Sequence, residues 1–189
     1  MSRAPLDGNH PPPMVGSTVP DGPVLLDTNV FINALSGRGP AVPRLMLRAL
    51  PRFFAAAPTR AELAWLAGRL DPAHPGTARV LAETEGVQAR IDPVMVLLPD
   101  DAAWRTAAER AGRVASELAG GGRRIRTAFD RMELIHDALI AVLAARAGCT
   151  VITEDRDFAA FARLGRRLRV VFYDKVGGSP TSPAAGGPA

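Results

Sequence analysis

Cysteine and lysine each occur once in this 189-residue chain, and histidine only three times. A single cysteine, Cys149, excludes an intramolecular disulfide framework. Its apolar setting, AGCTVIT, reads as a buried structural thiol, which suits a reducing compartment. The only lysine is Lys175, so arginine supplies the other basic residues. The net charge of +4 and the pI near 10.4 permit contact with a polyanion without demanding it. No stretch is long and apolar enough to span a membrane, and the first residues lack the apolar core of a signal peptide. The expected location is the cytoplasm, with no membrane partner. The three histidines are dispersed: His10 near the start, His74 beside Pro75, and His136 alone beside Asp137. Without a His or Cys cluster of zinc spacing, a zinc site is disfavoured. No glycine-rich phosphate loop of the Walker type occurs.

What is present is one domain's worth of periodic sequence between two low-complexity ends. Residues 1–22 are rich in Pro and Gly and read as a flexible arm. Residues 176–189 read as a disordered tail. The folded part is then 23–175. Apolar runs at 24–26, 53–57, 94–98, 150–153 and 169–173 read as strands. Helical patterns fall at 28–34, 43–50, 59–70, 77–90, 100–118, through 147 after Asp130, and from 158. Asp130 and Glu133 have the spacing of a capping box, and Gly148 supplies the helix stop. Strands alternating with helices imply an α/β fold, with a mostly parallel sheet covered on both faces. In such sheets ligands bind beyond the C-terminal strand ends.

Four acids fall where that edge should be. Asp27 and Asp155 follow predicted strands, and Glu62 and Asp137 stand in the first turns of predicted helices. Carboxylates brought together repel one another, and a hard divalent cation removes that cost. An all-oxygen donor set fits Mg2+ or Mn2+, and an ion so held is suited to phosphodiester hydrolysis.

Each acid also has a structural reading. Asp27 would cap the helix near Asn29. Glu62 would close a capping box with Thr59. Asp137 precedes eight uncharged residues, ALIAVLAA, and would draw on the helix N-terminus. Asp157 would cap the helix at Phe158, leaving Asp155 for the ion. Asn29 reads equally as a cap, Thr153 as a strand-end hydroxyl, and His136 as a packed or exposed side chain. The GGGRRIR loop at 120–126 could carry guanidinium groups to phosphates or be a solvated loop. Trp65 and Trp104 sit at helical spacing and read as core or interface.

Three segments together resemble the PIN-domain nucleases: LLDTNVFINAL at 25–35, TRAELAWL at 59–66, and HDALIAVLAARAGCTVITEDRDF at 136–158. The resemblance covers 25–173 in order and spacing. It implies a three-layer α/β/α sandwich and a metal-dependent endoribonuclease that leaves a 5′-phosphate and a 3′-hydroxyl. It implies that Asp27, Glu62, Asp137 and Asp155 form the acidic quartet, that Asp157 is a further ion ligand, and that Asn29 and Thr153 are supporting polar residues. Compact bacterial members are commonly toxins of VapBC-type toxin–antitoxin pairs. The implied partners are thus an RNA substrate, a small antitoxin and a second copy of the chain. Two rivals stand beside this reading: a degenerate PIN scaffold that binds a partner, and a haloacid-dehalogenase-type phosphatase, which would want an acid where Asn29 stands. Residues 72–130 match nothing in the family.

Overall fold

A computed structural model describes residues 14–15, 20–36, 50, 52–120, 127–165 and 167–173. The helix expected at 43–50, the 121–126 loop, Lys175 and most of both chain ends lie outside the described residues, although Leu50 is seen and is buried. Among the described residues, six strands alternate with six helices. Strand β1 (Met14–Val15) and β2 (Val24–Leu26) are followed by helix α1 (Thr28–Ser36), then β3 (Ala55–Ala56), α2 (Ala57–Gly68) and α3 (Thr77–Arg90). Strand β4 (Val96–Leu97), α4 (Asp101–Gly120), α5 (Ala128–Ala147), β5 (Thr150–Thr153), α6 (Phe158–Leu164) and β6 (Arg169–Phe172) complete the order.

Every pairing is parallel. One sheet runs β1-β6-β5-β2, and β3 pairs with β4 beyond it. A parallel bridge between Leu25 and Phe54 joins the two. Phe54 N–H donates to Val24 C=O at 2.8 Å, and Leu26 N–H donates to Phe54 C=O at 3.1 Å. Alternate strand residues enter opposite cores, as the two-residue period of a strand requires. Leu25, Ala56, Val151 and Phe172 pack with α4, α5 and α6. Val24, Leu26, Ala55 and Ile152 pack with Val30, Phe31 and Leu63 of α1 and α2. Because both faces are covered, the strands read as unbroken apolar runs. The result is the α/β/α sandwich expected from the sequence.

Several local boundaries differ from expectation, each for a physical reason. Met14 and Val15, within the expected 1–22 arm, pair with Val171 and Phe172 and add an edge strand. The strand expected at 53–57 ends at Ala56, because Pro58 occupies the first turn of α2, where its missing N–H costs nothing. Asp92 accepts Val94 N–H at 3.0 Å and winds Pro93–Met95 into a 3-10 turn, so the strand expected at 94–98 shortens to Val96–Leu97. Helix α5 starts before the expected cap at Asp130. Thr127 caps it, accepting Asp130 N–H at 3.0 Å, while the Asp130 carboxylate accepts Thr127 N–H at 3.0 Å. Gly148 ends that helix at φ 67°, a conformation that costs a residue with a Cβ. Trp65 and Trp104 are exposed rather than core, and the Arg69 guanidinium lies 4.4 Å over the Trp65 ring. Cys149 is buried, as its setting suggests.

Candidate active site

The register of β2 against β5 sets Leu26 beside Ile152, so Asp27 and Thr153 emerge together at the C-terminal edge of the sheet. A cleft of about 360 Å³ opens there, lined by Asp27, Asn29, Glu62, Asp137, Asp155 and Asp157, with Asp130 and Glu133 at its rim. All four acids of the expected quartet, and Asp157, thus border one space, although they come from four separate segments of the chain.

Asp27 is the most enclosed of them at 4% exposure. One carboxylate oxygen accepts Thr28 N–H at 2.7 Å; the other accepts the Asn29 amide and the Thr153 hydroxyl, each at 2.6 Å. Burial, reinforced by the charges of Asp155 and Glu62, pushes the Asp27 carboxyl up to about 7 against these donors. The donors fix its direction. Thr153 Oγ1 also accepts the Asn29 amide and Asp155 N–H, both at 2.9 Å. Asn29 Oδ1 in turn accepts Glu154 N–H at 3.3 Å and the Tyr173 hydroxyl at 3.0 Å. Asn29 and Thr153 therefore join the ends of β2, β5 and β6. Burial raises the Tyr173 phenol, which keeps its proton available for this bond.

The sequence places Asp137 in a helix's first turn. It stands instead ten residues into α5, roughly 13 Å along the axis, where the helix N-terminus no longer stabilises a charge. It reaches the cleft because Asp130, Glu133, Leu134 and Asp137 recur at helical spacing and form one stripe facing it. Burial, then the charges of Asp27, Asp155, Glu62 and Asp157, raise the Asp137 carboxyl well above its ordinary value. Sequence reasoning passed over Asp130 and Glu133 as lining residues because their spacing also fits a cap; the three- and four-residue interval to Asp137 was the available signal.

Glu62 does not act as a helix cap. The capping position of α2 is Ala56, with no side-chain bond, and the buried Thr59 hydroxyl has no hydrogen-bond partner among the described residues. Glu62 Oε2 instead accepts the Thr28 hydroxyl, and Oε1 faces His136 Nδ1 at 2.9 Å. Asp157 likewise makes no side-chain capping bond at α6; its N–H donates to Asp155 Oδ1 at 2.8 Å. Beside the acidic cleft runs an apolar groove lined by Ile32, Trp65, Leu66, Phe129 and Met132, and His136 borders it.

As they are placed, no three His, Cys, Asp or Glu side chains among the described residues stand close enough together to hold an ion. The case for a cation rests on the donor set. It is all oxygen and several-fold negative, and it holds two carboxyls that burial and mutual repulsion push toward protonation. Hard divalent ions take such ligands.

The sequence matches the PIN domain over residues 24–164. No curated protein matches it. Among solved structures, the fold is similar to a chain of VapBC2 from Rickettsia felis, solved bound to a DNA fragment from their promoter. That chain is 15% identical and fully covered, with 81% of the present chain aligned and a TM-score of 0.51. It is also similar to a chain of FitAcB from Neisseria gonorrhoeae, at 24% identity, covering 79% of this chain and 96% of that one, with a TM-score of 0.52. With three-quarters of its length matched, and with the strand order and acid-lined edge described above, the chain belongs to the PIN-domain family.

Proposed function

We propose that this protein is a metal-dependent endoribonuclease, the toxin of a VapBC-type toxin–antitoxin pair, acting in the cytoplasm. The observation that carries the reading is the meeting of Asp27, Glu62, Asp137, Asp155 and Asp157 on one cleft, with the carboxyls of Asp27 and Asp137 raised first by burial and then by the charges of neighbouring acids. In this reading Asp27, Asp137 and Asp155 hold a Mg2+ or Mn2+ ion, with Glu62 and Asp157 completing the site. A bound ion of this kind supplies positive charge for phosphate oxygens and makes a water acidic enough to serve as nucleophile.

The chain's own contribution is orientation. Thr28 N–H, Asn29 and Thr153 hold the Asp27 carboxylate in one direction, and the turn after β5 fixes Asp155 through Thr153 and Asp157 N–H. In this reading the carboxylates of the quartet are taken up in holding the ion, and water is the attacking group. The toxin role, with a small antitoxin as partner, follows from the resemblance to VapBC-type members of the family, and the fold shared with a chain of VapBC2 is in keeping with it. Pairing of two copies is part of the same proposal, to be read from the molar mass in solution. No helix among the described residues is long and apolar enough to cross a membrane.

The phosphatase alternative has little to stand on. Asn29, where that chemistry wants an acid, bonds Asp27, Thr153 and Tyr173 as a structural tie. A scaffold without activity stays distinguishable by calorimetry, since it need not bind Mn2+. The decisive test is Mg2+-dependent cleavage of single-stranded RNA by the wild type and by Asp27→Asn and Asp137→Asn. Each substitution is expected to lower the rate by at least about 100-fold. Unchanged cleavage by either variant excludes the mechanism.

A further inference from the structure

Glu62 differs from Asp27 and Asp155 in how it is held. Asp27 and Asp155 bind backbone N–H groups of their own turns. Glu62 projects from α2, has three side-chain torsions, and among the described residues is gripped by side chains from two other elements. The Thr28 hydroxyl, at the start of α1, donates to one oxygen. His136 Nδ1, on α5, meets the other at 2.9 Å. Where the Glu62 carboxylate accepts, Nδ1 is the nitrogen that donates. Both partners are set firmly: Thr28 is 6% exposed, and His136 precedes Asp137 on a helix whose following turns are buried. The charge of Glu62 acts on Asp27 and on Asp137 alike. Left to itself a flexible glutamate among like charges would turn outward to water, since both repulsion and side-chain entropy favour that.

We infer that His136 and Thr28 are positioning residues that clamp Glu62 over the cleft and so set the affinity of the site for its cation. His136 approaches Glu62 from the side of the apolar groove, and its neighbour Asp137 faces the cleft. One turn of α5 therefore supplies both an ion ligand and the group that steers another. The inference rests on the nuclease reading only for its activity readout; the binding readout stands alone. Groups that orient metal ligands typically change affinity or activity by about 10–100-fold when removed.

The test uses the full chain and pairs of near-isosteric variants. His136→Leu keeps bulk but has no donor, and His136→Asn returns an N–H near the Nδ1 position. Thr28→Val removes the hydroxyl, and Thr28→Ser retains it. Mn2+ affinity is measured by calorimetry, and kcat and KM by RNA cleavage. His136→Leu and Thr28→Val are expected to weaken Mn2+ binding about tenfold and to lower kcat with KM little changed. The Asn and Ser variants restore most of both. In a Glu62→Ala background His136→Leu costs nothing further, because its effect passes through Glu62. If His136→Leu misfolds, His136→Met and the Thr28 pair carry the same test. Wild-type Mn2+ affinity in His136→Leu and Thr28→Val overturns the inference, as does an asparagine variant no better than leucine, or losses that multiply with Glu62→Ala. Absence of RNA cleavage by the wild type would instead overturn the nuclease reading, and the Mn2+ affinities would still decide the clamp.

Discussion

Asp27 and Asp137 each carry a cost that a cation can lift, and the cost depends on pH in a defined direction. Asp27 moves from 3.8 to about 7 on folding. Between those values the folded protein keeps a proton that the unfolded chain has released, so it binds more protons than the unfolded state. Stability then falls as pH rises from about 4 to 7 and levels off above. In chelator, the melting temperature is expected to be higher at pH 5 than at pH 8; a flat or rising profile contradicts the assignment. Asp137→Asn removes a raised carboxyl whose leading causes are burial and like charge, with no hydrogen bond to lose among the described residues. That variant is expected to melt several degrees above the wild type at pH 8 without metal, a gain of order 1–3 kcal/mol, and to lose most of the advantage at pH 5. Asp27→Asn gains less, because an amide would aim its N–H at the Thr153 and Asn29 donors.

Helix α5 shows how legible an element is when local chemistry dictates it. Its end was readable, since Gly148 alone among the neighbouring residues tolerates φ 67°. Its start was not. Thr127 with Asp130, and Asp130 with Glu133, both have cap spacing, and the fold makes the first pair, with both reciprocal bonds formed. Thr127→Ala and Gly148→Ala should each cost about 1 kcal/mol, seen in thermal melts. Neither is expected to change Mn2+ affinity, because Asp137 lies turns away from both ends. A large affinity change in Thr127→Ala would mean that the cap, and not the sheet and its packing, sets the position of the acidic stripe. The capping reading of Glu62 failed for a related reason: Thr59 and Glu62 have the right interval, but Pro58 already starts α2 at Ala57.

At the scale of the whole molecule, the cleft joins both cores. Asp27 follows β2 and Thr153 ends β5, with Glu62 on a helix of one layer and Asp137 on a helix of the other. Ion binding is therefore expected to stabilise the entire fold. At a free Mn2+ concentration 100 times Kd the gain is about 2.7 kcal/mol, a rise in melting temperature of roughly 5–11 °C that grows with concentration. Asp27→Asn should abolish the rise. A wild type whose melting is indifferent to Mg2+ and Mn2+ at pH 8 would count against the site.

The sequence by itself determined the alternation of strands and helices, the burial of both sheet faces, and the emergence of Asp27 and Asp155 at strand ends. These follow from short-range patterns, the two- and 3.6-residue periods and the residues that stop them. Tertiary structure decided the rest. Asp137 enters the cleft from mid-helix rather than from a helix start. Tyr173 braces Asn29 across 144 positions, and Thr28 and His136 take Glu62 away from a cap that its own neighbours would have suggested. Such contacts depend on the packing of layers distant in the chain, and no local pattern encodes which side chain will be opposite which.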